Sequence, residues 1–226
     1  MAEPRRRTLS LVHRVRQPGL ATGADARPPL LLLLHGVGSN ELAMASLAGS
    51  FDPRFVVISA RAPDELEPFA FGWLHEVLTR GGLVVDPAEA AAASATITRF
   101  LDEAIEAYRA DAKRVFVAGF SQGGIVALAT MLTSPEKVAG VVCMSGRLPP
   151  EILPGIAPRE RLHGKQVLIV HGRSDETLVV AYGRAASETL RALAMAVEHA
   201  EFDMGHTTTD ESLLRVSAWL TARLAP

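Results

Sequence analysis

Cysteine is almost missing from this 226-residue chain. Cys143 stands alone, which excludes an internal disulfide and any cysteine-rich metal site. It lies in the apolar run from Val138 to Met144, where a thiol serves as a small core residue. Aromatic residues are scarce at 5%, and neither charge is in surplus, since 23 Lys and Arg face 25 Asp and Glu for a net charge of -2. Without a basic excess there is no electrostatic case for nucleic acid. Long apolar runs are lacking as well. The stretch Leu30 to Leu34 falls far short of the ~20 residues that a spanning helix needs, so no integral membrane association is expected. Arg5-Arg6-Arg7-Thr8-Leu9-Ser10-Leu11 looks like the start of a twin-arginine export signal. His13, Arg14 and Arg16 break the apolar segment that would have to follow, so the expected location is the cytoplasm.

What the chain does have is the composition of one sizeable core, with 48% hydrophobic and 21% charged residues. A single domain over residues 1 to 226 is expected. Thr8 to Arg16 alternates as a half-exposed strand, read as an antiparallel edge, and Gln17 to Pro29 is a turn and loop. Leu30 to Leu34 is a buried strand. A short helix over about Glu41 to Gly49 and a strand from Phe55 to Ala60 follow. Arg61 to Gly82 reads as a long irregular loop holding Phe69, Phe71, Trp73 and His75, a concentration of aromatics that suggests a cleft wall. Asp86-Pro87-Ala88-Glu89 starts a helix with an N-cap, a proline and a capping-box glutamate, and Ile97, Leu101, Ile105 and Tyr108 give it one apolar stripe. After a strand and helix beginning at Val115, further strands are expected at Val138 to Ser145, Gln166 to His171 and Ala196 to Phe202. Helices are expected from Glu176 or Thr177 to about Leu193 and from about Thr208, the latter with a Thr208 and Glu211 capping box and with Leu213, Leu214, Ser217, Leu220 and Leu224 inward. Alternating strands and helices, with continuous apolar strands, imply a mostly parallel central sheet covered by helices on both faces.

The chemistry centres on Val115-Phe116-Val117-Ala118-Gly119-Phe120-Ser121-Gln122-Gly123-Gly124. A strand runs into Gly-x-Ser-x-Gly and an apolar helix follows at once, the context of a nucleophile elbow. A serine hydroxyl needs an adjacent base, and the base needs a third group to fix its tautomer. In an α/β hydrolase these follow in the order Ser, acid, His. Asp175 is the next acid placed at a strand end, ahead of Glu176, which suits a helix start. Among His163, His171, His199 and His206, only His206 follows the last strand and precedes the last helix. Asp203 and Asp210 sit too close to His206 in sequence to match that order. The oxyanion hole calls for two backbone amides, Gln122 at the head of the new helix and Val37, whose neighbours Gly36 and Gly38 allow close approach. His35 is expected to brace this loop. Trp73, Leu148 and Leu178 are the candidate pocket walls.

Taken together, Leu34-His35-Gly36-Val37-Gly38, Gly119-Phe120-Ser121-Gln122-Gly123-Gly124, Ser145-Gly146-Arg147-Leu148-Pro149, His171-Gly172 with Asp175, and Gly205-His206 resemble the phospholipase/carboxylesterase family of small α/β hydrolases, which includes the acyl-protein thioesterases. The resemblance spans about Leu30 to Leu220 and implies the same triad, Ser121, Asp175 and His206, with the same two oxyanion amides. Ser39 stands where the family often has Asp, and Leu178-Val179-Val180 where it has Val-Pro. The expected activity is hydrolysis of short to medium acyl esters through an acyl-enzyme, with thioesters or lysophospholipids as the alternative substrates. Too few residues separate Ser121 from Asp175 for a cap domain. A small acyl ester is the expected partner, the expected state is a monomer or homodimer, and no cofactor or metal is called for. A catalytically silent scaffold that binds a ligand is the competing class.

Overall fold

The computed structural model describes residues 9–19, 27–79 and 82–224. The Arg5 to Arg7 stretch and most of the Gln17 to Pro29 loop lie outside them. Seven strands form the central sheet in the order β1 (His13–Arg16), β3 (Val56–Ala60), β2 (Leu30–Leu34), β8 (Val115–Phe120), β9 (Gly140–Met144), β10 (Gln166–Gly172) and β11 (Ala196–Phe202). Only β1 runs antiparallel; the other six are parallel. The sequence-based strand from Thr8 is shortened to its last four residues.

Side-chain alternation along each strand splits the core in two. Leu30, Leu32 and Leu34 of β2 enter one cluster with Ile97, Phe100 and Leu101 of α2 (Pro87–Tyr108), Ile125 and Leu128 of α3 (Gln122–Thr133), and Leu190 of α5 (Ala181–Ala192). Leu31 and Leu33 enter the other with Met44 of α1 (Glu41–Ala45) and Val216, Trp219 and Leu220 of α6 (Asp210–Ala222). Helices therefore cover both faces, as continuous apolar strands require. The 0% exposure of every β2 side chain, at roughly 1.5 to 3 kcal/mol for each one fully buried, makes this strand a principal source of stability. None of the helices among the described residues is long and apolar enough to cross a membrane.

Several local expectations are corrected. The segment from Arg61 to Gly82 is not irregular: β4 (Asp64–Glu67) pairs with β5 (Ala70–Gly72), and β6 (Glu76–Thr79) pairs with β7 (Gly82–Val85). The four residues of β4 are all exposed, so no apolar period marks the strand, and the chain turns at Pro68 and Phe69, where Phe69 adopts φ 67. Asp86 does cap α2, accepting from the Ala88 N–H at 2.8 Å, but the Glu89 carboxylate turns to the His75 N–H instead of closing a capping box. The last helix is capped by Thr209 and Ser212, one residue after the expected pair, and its inward face carries Leu213, Val216, Trp219 and Leu220, leaving Leu214 70% exposed. The connection from Gly146 to Gly164 includes α4 (Arg159–Leu162).

Glu41, in the first turn of α1, is nearly fully buried and takes both Nε and Nη2 of Arg61, at 2.6 and 2.8 Å. That guanidinium lies over the Phe71 ring at 4.6 Å and holds the Glu41 carboxyl below the usual carboxylate range. The pair thereby ties α1, the end of β3 and the β4–β5 hairpin together. Cys143 is fully enclosed between α3 and the Gly146 turn, and burial pushes its thiol up to about 12. Because the thiolate is the reactive form, iodoacetamide at mildly alkaline pH should leave the native protein unmodified and alkylate it only after unfolding. Labelling of the folded chain at the rate of a free thiol would contradict this burial.

Candidate active site

The chain runs outward from β2 to β3 in one direction and from β8 to β11 in the other, so the strand order reverses between β2 and β8. Ligands of open α/β sheets bind beyond the carboxyl ends of the strands at such a reversal. The loop after β2 and the turn after β8 both end there.

Ser121 occupies the turn between β8 and α3 with φ 53 and ψ -119, a left-handed conformation that costs a non-glycine residue roughly 1 to 3 kcal/mol. The flanking glycines explain how the turn closes. A Cβ on Gly119 would stand 2.0 Å from the Gly123 carbonyl oxygen, and one on Gly123 would stand 2.3 Å from that of Leu34. The Ser121 N–H donates to the Met144 carbonyl at 2.8 Å, which fixes the turn to β9.

Asp175 and His206 reach the serine from two loops packed against each other. Gly172 makes that packing possible, since a Cβ there would lie 2.2 Å from the Met204 carbonyl oxygen, and the Ser174 N–H donates to the same carbonyl. The His206 Nδ1–H donates to Asp175 Oδ2 at 2.8 Å, and its Nε2 lies 2.9 Å from Ser121 Oγ. A carboxylate can only accept, so Nδ1 carries the proton and Nε2 is left to accept the hydrogen bond of the Ser121 hydroxyl. The second carboxylate oxygen accepts the N–H groups of Thr177 and Leu178, at 3.0 and 2.8 Å. Those bonds bend the chain over residues 176 to 178, which is why α5 begins at Ala181 and not at the expected Glu176 or Thr177. The Phe120 ring packs on the imidazole, centroid to centroid 4.9 Å, and steadies it from β8; nothing in its sequence position had marked it.

Among the described residues none of the other candidate acids and histidines hydrogen-bonds Ser121 or His206, although His171 Nε2 lies 3.6 Å from Asp175 Oδ2. Asp203 is exposed and pairs with Arg173, Glu176 and Asp210 are exposed, and His163 is exposed after α4. His199 faces Ser187 of α5. His171 is buried below Asp175, with its Nε2–H donating to the Leu178 carbonyl at 2.7 Å.

The loop after β2 lies against the serine. Gly36 is so near that a Cβ there would stand 3.3 Å from that of Ser121. His35 is buried and does brace this loop: its Nε2 accepts the Ala62 N–H at 3.0 Å and its Nδ1–H donates to the Gly36 carbonyl at 2.7 Å. Burial lowers its pKa, which keeps the ring neutral as both bonds require. On the outer side the Gly38 N–H donates to Phe71 O and the Phe71 N–H to Ser39 O, each at 2.9 Å, so the β4–β5 hairpin buttresses the loop.

Among the expected pocket residues, Leu148 is half-buried, whereas Trp73 and Leu178 are only 3% and 4% exposed. Those two offer edges and not an open apolar wall. Trp73 is enclosed because both of its N–H groups are engaged by buried acceptors, as described below.

A sheet of six parallel strands with one antiparallel edge, helices on both faces and a serine at a strained strand-to-helix turn define an α/β hydrolase, without an evident cap domain among the described residues. The profile of the phospholipase/carboxylesterase family matches residues 17–224. The chain belongs to that family. It is 26% identical over 213 residues to a probable inactive carboxylesterase of rice, Oryza sativa subsp. japonica, covering 88% of this chain and 86% of the other. It is 26% identical over 219 residues to a probable carboxylesterase of the same plant, covering 91% and 81%. A carboxylesterase structure from Mesorhizobium loti superposes with a TM-score of 0.81 at 23% identity, covering 94% of this chain and 95% of the other.

Proposed function

We propose that this chain is a serine carboxylesterase, folded as one domain, that hydrolyses short to medium acyl esters through an acyl-enzyme. The observation that carries the reading is the continuous line Ser121 Oγ, His206 Nε2, His206 Nδ1 and Asp175 Oδ2, with neither contact longer than 2.9 Å. Ser121 Oγ attacks the ester carbonyl carbon as its proton passes to His206 Nε2, and the carbonyl oxygen becomes an oxyanion. The backbone N–H groups of Val37 and Gln122 stabilise it. The bond to the alcohol oxygen then breaks, and His206 returns the proton to the departing alcohol. Water enters, gives a proton to His206 and attacks the acyl carbon. Collapse releases the acid and restores the serine hydroxyl.

Leu148 and the exposed edges of Val37 and Val179 supply apolar surface on this side of the protein, which suits an acyl chain of modest length. A series of p-nitrophenyl esters and matched thioesters of increasing chain length tests this. We expect kcat/KM to peak among short to medium oxygen esters. A peak on long-chain thioesters or lysophospholipids would favour the alternative substrates. Absence of turnover across the whole series would favour a silent binding scaffold.

A further inference from the structure

Trp73 and the Gln122 side chain carry no step in the reaction just described, yet they are buried beside it and hydrogen bonds between them and to His35 link its parts. The Val37 N–H belongs to the same peptide unit as the Gly36 carbonyl. That carbonyl accepts His35 Nδ1–H at 2.7 Å and the Ser39 N–H at 3.2 Å, so the orientation of the peptide follows the position of His35. His35 is in turn held by Trp73. Its carbonyl accepts the indole N–H at 2.9 Å, and its ring lies against the indole with centroids 5.3 Å apart. Trp73 is itself held by Gln122, whose Oε1 accepts the Trp73 N–H at 2.7 Å while its Nε2 donates to the Leu74 carbonyl at 2.8 Å.

The path closes on itself. It begins at Gln122, whose backbone N–H is one oxyanion donor, and passes through Trp73 and His35 to the peptide bearing the other. These donors lie on separate elements, the head of α3 and the loop after β2, and an oxyanion hole works only if both amides are fixed before charge develops. We propose that Trp73, clamped by the Gln122 side chain, is a positioning residue that sets the distance and angle between the two oxyanion amides. This rests on the reading of Ser121 as nucleophile with Val37 and Gln122 as donors.

Trp73→Phe in the full-length chain tests it, because phenylalanine keeps an aromatic ring at this buried position and removes the indole N–H together with the rest of the five-membered ring. Three quantities are read: kcat and KM for p-nitrophenyl butyrate, and inhibition by an alkyl trifluoromethyl ketone, whose tetrahedral adduct carries an oxyanion. Full loss of one oxyanion donor costs about 100-fold or more in kcat, so a donor left in place but misaligned should cost about tenfold. We expect that fall in kcat, KM within about threefold, and ketone affinity reduced by about the same factor as kcat/KM. A role in packing alone would lower the unfolding temperature without weakening the ketone relative to the substrate, and that outcome overturns the proposal, as does an unchanged kcat. Gln122→Met, which keeps the backbone donor and removes the clamp, carries the same expectation should the Trp73 variant fail to fold. Ser121→Ala separates the two levels. If it stays active, the nucleophile reading fails; if it is inactive while Trp73→Phe matches wild type, only the clamp fails.

Discussion

Replacing Ser121 with alanine is expected to lower ester turnover by roughly 10^4 to 10^6-fold, the range seen when a serine hydrolase loses its nucleophile. His206→Ala should cost about as much, and the double variant scarcely more, because in the proposed mechanism the two groups act in one proton transfer and neither works without the other. Stability should move little. The Ser121 side chain makes one hydrogen bond, to the His206 ring, and the turn is held by the Ser121 N–H on Met144 and by glycine packing, all of which survive the substitution. Michaelis constants measured on any residual activity, with thermal unfolding alongside, check both halves of the expectation. Two large losses that add, instead of overlapping, would mean that the serine and the histidine act in separate steps.

The second large effect is on the fold. Gly123→Ala would force a methyl to within 2.3 Å of the Leu34 carbonyl oxygen and 2.7 Å of that of His35. Both are backbone atoms of a fully buried strand end, so no side chain can swing aside. The helix must shift off β2, which is expected to cost about 3 to 5 kcal/mol out of a total near 5 to 15 kcal/mol. Activity should fall further than stability, since the same shift draws the Gln122 amide away from the loop that carries Val37. Gly155→Ala is the control. A Cβ there meets nothing within 4 Å, and its effect should stay within about 0.5 kcal/mol. Urea unfolding of the three proteins decides the matter, and equal stability of Gly123→Ala and wild type would contradict the close packing of α3 on β2.

Much of this arrangement was legible from the sequence because local signals and global topology agree there. Five consecutive leucines bounded by Pro-Pro and His-Gly leave no choice but a buried strand, and Gly-x-Ser-x-Gly between a strand and an apolar helix leaves little choice but the elbow. Asp175 and His206 were readable from their order after strands, which the topology converts into proximity. What escaped were features decided by long-range partners. The hairpins between Arg61 and Val85 are short and partly charged, so no apolar period marks them. Glu89 has the position of a capping-box residue, but the His75 N–H competes for its carboxylate. The late start of α5 follows from Asp175 binding the amides of Thr177 and Leu178, a use of the acid that spacing alone does not reveal. Trp73 reads as a cleft aromatic until its acceptors, Gln122 and the His35 carbonyl, are seen on the far sides of the ring and backbone.

The most direct test is covalent. A fluorophosphonate that reacts with activated serines should add one mass increment to the native protein, on the peptide holding Ser121, and should fail to react with His206→Ala or with the unfolded chain. An unmodified native protein, or an adduct on any other serine, would contradict Ser121 as the nucleophile that His206 activates.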